Sequence, residues 1–110
     1  MIRAAARARS EERALGLTTK RVVEESKMSG APGAATSIFK LVGSSLTKSG
    51  SELKSQLRGT AGLVWDSEDF DQDELDSTRG WLRDRAVTIY GGTNEVQQNI
   101  LAKRVLGLPD

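Results

Sequence analysis

Residues 89–95 read Ile-Tyr-Gly-Gly-Thr-Asn-Glu, placing two glycines and a threonine directly ahead of an amphipathic stretch. A turn without side-chain bulk, leading into exposed amides at a helix N-terminus, can receive an anion or a flat cofactor. The same residues also make an ordinary tight turn, and the spacing leaves both readings open. Elsewhere, what is missing bounds the chemistry. The chain has no cysteine and no histidine, which removes disulfides, thiolate chemistry, His/Cys zinc sites and any imidazole base. There is no G-x-S-x-G elbow, and no hydrolase triad can be assembled. Asp69, Asp71 and Asp73 imitate the opening of a calcium loop. The sixth position, however, is Glu74 where glycine is needed, and the twelfth is Gly80 where a bidentate glutamate is needed. A solvated acidic loop is expected there, and no metal site. "GSSLTKS" at 43–49 resembles part of a phosphate loop, but Thr47 replaces the glycine before the lysine.

The elements that must position these residues are helical. Residues 2–28 are Ala-rich and charged, with Leu15, Val22 and Met28 marking a thin apolar stripe and Gly16 weakening the middle. "SGAPGA" at 29–34 is a breaker. Residues 34–58 carry the clearest pattern: Ile38, Val42 and Leu46 recur every four residues, then Leu53 and Leu57 follow. Gly59 and Gly62 bracket a turn. A shorter helix is expected from Glu74 to Thr88, burying Leu75, Leu82 and Ala86 with Trp81 at the flank. In the last helix Asn94 is the expected N-cap, answered by Gln97, and Val96, Ile100 and Leu101 are expected to face inward. Lys103 and Arg104 suit its negative end, and Gly107 with Pro109 ends it. No segment alternates like a strand. The fold class expected is all-α: an antiparallel, up-and-down helical bundle of four elements.

Composition fits one globular domain. No apolar run approaches the roughly 18 residues of a membrane span and nothing resembles a signal peptide, so a cytoplasmic protein without membrane attachment is expected. The net charge of +1 hides a split: eleven Lys/Arg against five Asp/Glu over residues 1–65, and five against ten over 66–110. No aromatic residue lies among Arg3, Arg7, Arg9 and Arg13 to stack on a base, so no nucleic-acid partner is expected.

"RDRAVTIYGGTNEVQQNILAKRVLGLP" resembles the C-terminal signature of the acyl-CoA dehydrogenase family, and Gln56, Gly59 and Gly62 in "QLRGTAG" resemble its Q-x-x-G-G-x-G element. "GAPGAATSIFKL" is similar to the family's linker and the helix start ahead of a lysine. The resemblance covers nearly the whole chain and implies residues 1–110 are most of a C-terminal helical domain. The first helix of that domain, the β-domain and the N-terminal domain are missing by this resemblance, with Met1 falling within the second helix of the bundle. It further implies an FAD-dependent oxidoreductase acting on CH–CH donors, in fatty acid or lipid metabolism. A carboxylate removes the proton α to an acyl-CoA carbonyl while the β-hydrogen leaves as hydride. The implied partners are the acyl-CoA substrate, an electron-transferring flavoprotein, and other subunits of a homo- or hetero-oligomer that shares the FAD site.

Carried over by position, the resemblance implies that Gln56, Gly59 and Thr60 contact the FAD of a neighbouring subunit. Gly92, Thr93 and Glu95 are implied to meet the flavin nucleotide, and Lys103 to lie near substrate. Thr60 departs from the pattern by replacing a glycine, and the stretch after the Arg83–Asp84 pair is one residue shorter than the commonest form. Gly91 is the sharpest departure: many members carry the catalytic glutamate there, and glycine has no proton acceptor. No catalytic residue is therefore assigned, and the isolated chain is expected to be inactive, weakly stable and prone to associate. The alternative is a non-catalytic, base-lacking subunit or an oligomerisation module.

Overall fold

The structure, a computed structural model, describes residues 1–30 and 36–109. Four α-helices follow one another: α1 (Ile2–Ser29), α2 (Thr36–Leu57), α3 (Gln72–Arg83) and α4 (Asn94–Arg104). Short 3-10 turns lie at Gly59–Leu63 and Asp84–Thr88, and there is no strand among the described residues. The expected all-α bundle is what is found. Most of the breaker at 29–34 and the first residues expected of α2 lie outside the described residues.

α1 is helical chiefly by local means. Arg7 pairs with Glu11 at 2.7 Å, and Ser10, Thr18, Thr19 and Ser26 each bond back to the carbonyl four residues earlier. Gly30, at φ 72°, ends it by donating its N–H to the Ser26 carbonyl. Only Val22 is buried, and Met28 of the expected stripe is 89% exposed.

α2 is the hub, packing against α1, α3, α4 and both 3-10 turns. Its register with α1 is antiparallel: Leu15 lies beside Gly43, while Ala4 and Arg7 share a groove with Leu53 and Gln56. α3 is also antiparallel to α2, with Arg58 reaching Glu74, Trp81 reaching Glu52, and Arg85 reaching Lys48. α4 then starts beside the first half of α2, so the chain runs up and down as expected.

The bundle is elongated, 53 × 28 × 25 Å, and its apolar core is thin. Among the described residues Val22 and Leu75 are the buried apolar side chains, against five buried polar ones: Ser37, Ser44, Ser55, Thr78 and Gln97. Small serines along α2 let neighbours approach closely, so polar junctions do much of the holding. Ser55, Thr78 and Gly62 form one of these, both hydroxyls donating to the Gly62 carbonyl at 3.3 and 3.2 Å. A second is built on Glu52, whose Oε2 accepts from the Trp81 indole at 2.8 Å and pairs with Arg85 at 3.4 Å.

Several expectations about α3 are corrected. It starts at Gln72, two residues early, because Asp71 and Glu74 form a reciprocal capping box: Asp71 Oδ1 accepts from Glu74 N at 2.8 Å, and Glu74 Oε2 from Asp71 N at 3.1 Å. Acidic residues taken as loop are the cap. The α-helix stops at Arg83 and tightens to 3-10 where Arg85 turns back onto Trp81, Glu52 and the Lys48 carbonyl. Leu75 is buried as expected, but Leu82 and Ala86 are exposed; the partner of Leu75 on the inner face is Thr78. The stripe Ile38 and Val42 is uncovered, each residue 38% exposed.

Candidate functional site

The Gly91–Thr93 turn is built as a left-handed corner. Gly91 and Gly92 have φ values of 68° and 98°, a region that side chains other than glycine's rarely adopt. Thr93, in extended conformation, is the N-cap of α4, its hydroxyl accepting from Val96 N at 3.3 Å. The expected cap Asn94 is corrected accordingly: it is already helical, and its Oδ1 is buried without a hydrogen-bond partner. Gln97 does not answer it as a capping partner. Its side chain is buried and donates instead to the Gly91 carbonyl at 3.2 Å. Val96, expected inward, is 48% exposed because Gln97 takes the inner position.

Gly92 needs its missing side chain for an internal reason. A Cβ there would lie 2.6 Å from Gln97 Nε2, inside the protein rather than toward a ligand. Gly91 is exposed, and a Cβ on it would meet only Lys40 Cε, at 3.6 Å. From α2, the Lys40 ammonium donates to the Val87 carbonyl at 2.6 Å and lies 5.8 Å from the centre of the Tyr90 ring. The corner thus offers an exposed turn, a helix N-terminus and a nearby cation. Sequence reasoning noted a lysine after the start of α2 but gave Lys40 no role, and it missed the buried role of Gln97. The lysine's partner is 47 residues away, and no local pattern announces it.

Glu95 sits in the first turn of α4, exposed. Its carboxyl is held below the ordinary carboxylate value of 4.5, first by its own backbone N–H and then by the Thr93 hydroxyl. A carboxylate so engaged at a positive helix end is a poor proton acceptor. Because its folded pKa is depressed, the stability it contributes is present above about 4.5 and lost as pH falls through the lower folded value. Glu95→Gln is therefore expected to abolish that part of the acid sensitivity of α4, read by thermal melts between pH 3 and 7, on the order of the carboxylate range. Equal acid profiles for the two proteins would contradict the assignment.

Gln56, Gly59 and Thr60 lie at the opposite end of α2, all exposed. Gly59 has φ 59° with open space where a Cβ would stand. From Lys40, beside the Gly91 corner, to Gln56 is about 24 Å along the helix axis at 1.5 Å per residue. The two sets of residues do not converge within one chain. Lys103 is exposed in the last turn of α4, and Arg83 is exposed at the end of α3. No group of three or more carboxylates placed to hold a metal occurs among the described residues. No helix there is long and apolar enough to cross a membrane.

The fold is an all-α bundle with one glycine corner following its central helix and another beside the first turns of that helix. More particularly, the chain belongs to the acyl-CoA dehydrogenase family, matching the family's C-terminal domain over residues 1–106. It is 48% identical over 58 residues to acyl-CoA dehydrogenase IpdE1 of Mycolicibacterium smegmatis, and 47% identical over 58 residues to the protein of that name from Mycobacterium tuberculosis. Each match covers 53% of this chain and 14% of the relative, so the likeness spans about a seventh of those proteins. No solved structure matches.

Proposed function

We propose that this bundle is the C-terminal part of an FAD-dependent acyl-CoA dehydrogenase, in which the two ends of α2 serve two different flavins in an oligomer. The observation that carries the reading is the separation of about 24 Å along α2 between Lys40, beside the Gly91 corner, and Gln56, before the Gly59 corner, each corner bearing the residues of one family motif. Two copies related by a two-fold axis would bring the Gln56–Thr60 corner of one against the Gly91–Glu95 corner of the other. The residues present fit such a ligand. The open Gly59 corner admits close backbone approach, while the Lys40 ammonium and the α4 N-terminus, the latter offset in part by the Glu95 carboxylate, favour an anionic nucleotide.

Bound there, FAD would supply the hydride acceptor for α,β-dehydrogenation of an acyl-CoA thioester, with an electron-transferring flavoprotein as the onward acceptor. This chain's own residues would hold and orient the nucleotide: Gln56 by its amide, the Gly91–Thr93 turn by its backbone, and Lys40 by its charge. Proton abstraction falls to no residue here. Gly91 has no acceptor, and the Glu95 carboxyl is committed to its own helix end. A base from elsewhere in the dehydrogenase completes the reaction, and the isolated 110-residue chain is inactive. That same observation favours the second reading, a base-lacking subunit or oligomerisation module in a complex.

Gln56→Ala tests the reading cleanly, because Gln56 is exposed and its loss leaves the bundle's stability within about 0.5 kcal/mol. In the assembled dehydrogenase, the FAD dissociation constant is expected to rise several-fold, up to about tenfold for one lost hydrogen bond. Unchanged affinity by fluorescence titration would count against a flavin contact at this corner.

A further inference from the structure

We infer that Lys40 and Gln97 are positioning residues of the Gly91–Thr93 corner, which they clamp from two different helices; this rests on the flavin reading above. Lys40 comes from α2 and fixes the Val87 carbonyl just before the corner, at 2.6 Å. Gln97 comes from α4 and fixes the Gly91 carbonyl within it, at 3.2 Å. The absent side chain of Gly92 leaves the space that the Gln97 amide fills, since a Cβ there would stand 2.6 Å from Nε2. Gln97 is buried, so little water reaches its amide to replace this bond.

The clamp has an electrostatic consequence. The corner's two successive positive φ values, at Gly91 and Gly92, let its peptide planes swing, and the Gly91 carbonyl turned outward would present a negative end to an anionic ligand. Tying the Val87 and Gly91 oxygens to side-chain donors holds them against the protein. Lys40 adds a positive charge beside the corner and also packs on Tyr90, 5.8 Å from the ring centre. A side chain of the same length without the charge would keep the packing and lose the clamp. A glutamate at position 97 would keep the shape and replace the donor with an acceptor facing the Gly91 oxygen.

The test uses the assembled dehydrogenase with Lys40→Met, Gln97→Glu and Lys40→Arg, reading FAD affinity together with amide hydrogen exchange. Lys40→Met and Gln97→Glu are expected to weaken FAD binding roughly tenfold, as losing one charge-assisted or buried hydrogen bond would. Exchange at residues 89–93 should speed up while α3 stays as protected as before, and Lys40→Arg should restore most of the affinity. If the parent protein binds FAD and Lys40→Met and Gln97→Glu bind it equally well, the inference fails together with the charge role given to Lys40, while the flavin reading at the two glycine corners stands. Loss of protection spread equally through α3 would also overturn it, because the residues would then be supporting the whole bundle. If the parent protein takes up no FAD, the flavin reading itself fails, and the clamp serves no such ligand.

Discussion

Gly62→Ala is expected to destabilise the chain by about 3 kcal/mol, the upper end of the range for overpacking a tight contact. A Cβ at this position would stand 2.4 Å from the Ser55 carbonyl oxygen and 3.1 Å from its carbon. Both are backbone atoms of α2, so relief requires moving a helix rather than turning a side chain. The same shift would pull apart the two bonds that the Ser55 and Thr78 hydroxyls make to the Gly62 carbonyl. Gly59 supplies the control. Its φ is 59°, but a Cβ there has nothing within 4 Å, so Gly59→Asn, which tolerates the left-handed region, should change stability little. Thermal melts of the two variants should differ by roughly 12–24 °C, at about 4–8 °C per kcal/mol for a domain near this size. Equal midpoints would mean that the 3-10 turn does not press on α2 as described.

Arg58→Ala is expected to cost about 1.5–3 kcal/mol, the range for a hydrogen bond from a charged group. The guanidinium spans from the end of α2 to α3. Its Nη1 donates to the Glu74 carbonyl and to the Thr78 hydroxyl, and Nη2 lies 3.9 Å from the Glu74 carboxylate, too long for a hydrogen bond. With the side chain 19% exposed, the pair is only partly screened by water. Lysine should not rescue the loss, because its ammonium ends one bond short of Nη1, the atom that makes both hydrogen bonds. Urea melts of Arg58→Ala and Arg58→Lys should both show lower midpoints, and faster hydrogen exchange should be confined first to α3. A fully stable Arg58→Lys would show that charge alone matters there.

The large features were legible because they are local. Four-residue spacing of Ile38, Val42 and Leu46 marks α2, and Gly91–Gly92 marks the corner before α4. What sequence reasoning misjudged lies where long-range packing chose between neighbours. Apolarity pointed to Leu82 and Val96 as inner residues, yet Thr78 and Gln97 occupy those places because each has a carbonyl to serve, at Gly62 and Gly91. Gly59 and Gly62 look alike in the sequence. One is needed for its dihedral angle, the other because another backbone lies against it. Asn94 is as good a cap by type as Thr93, and only the extended backbone at Thr93 selects between them. The candidate site residues, and their assignment to neighbouring subunits, were nameable through the family resemblance; the distance between the two sets along α2 required the fold.

That division is best tested by mixing subunits. Thr60→Trp and Glu95→Trp each add bulk at an exposed position of one corner. Each variant alone should assemble without FAD. Co-assembled in equal amounts, they should regain about one flavin site in four, because half of randomly formed two-fold pairs are mixed and each mixed pair has one intact site. Flavin absorbance per subunit after gel filtration measures this. Recovery near a quarter is the expected result; no recovery on mixing would contradict a flavin site shared between two copies.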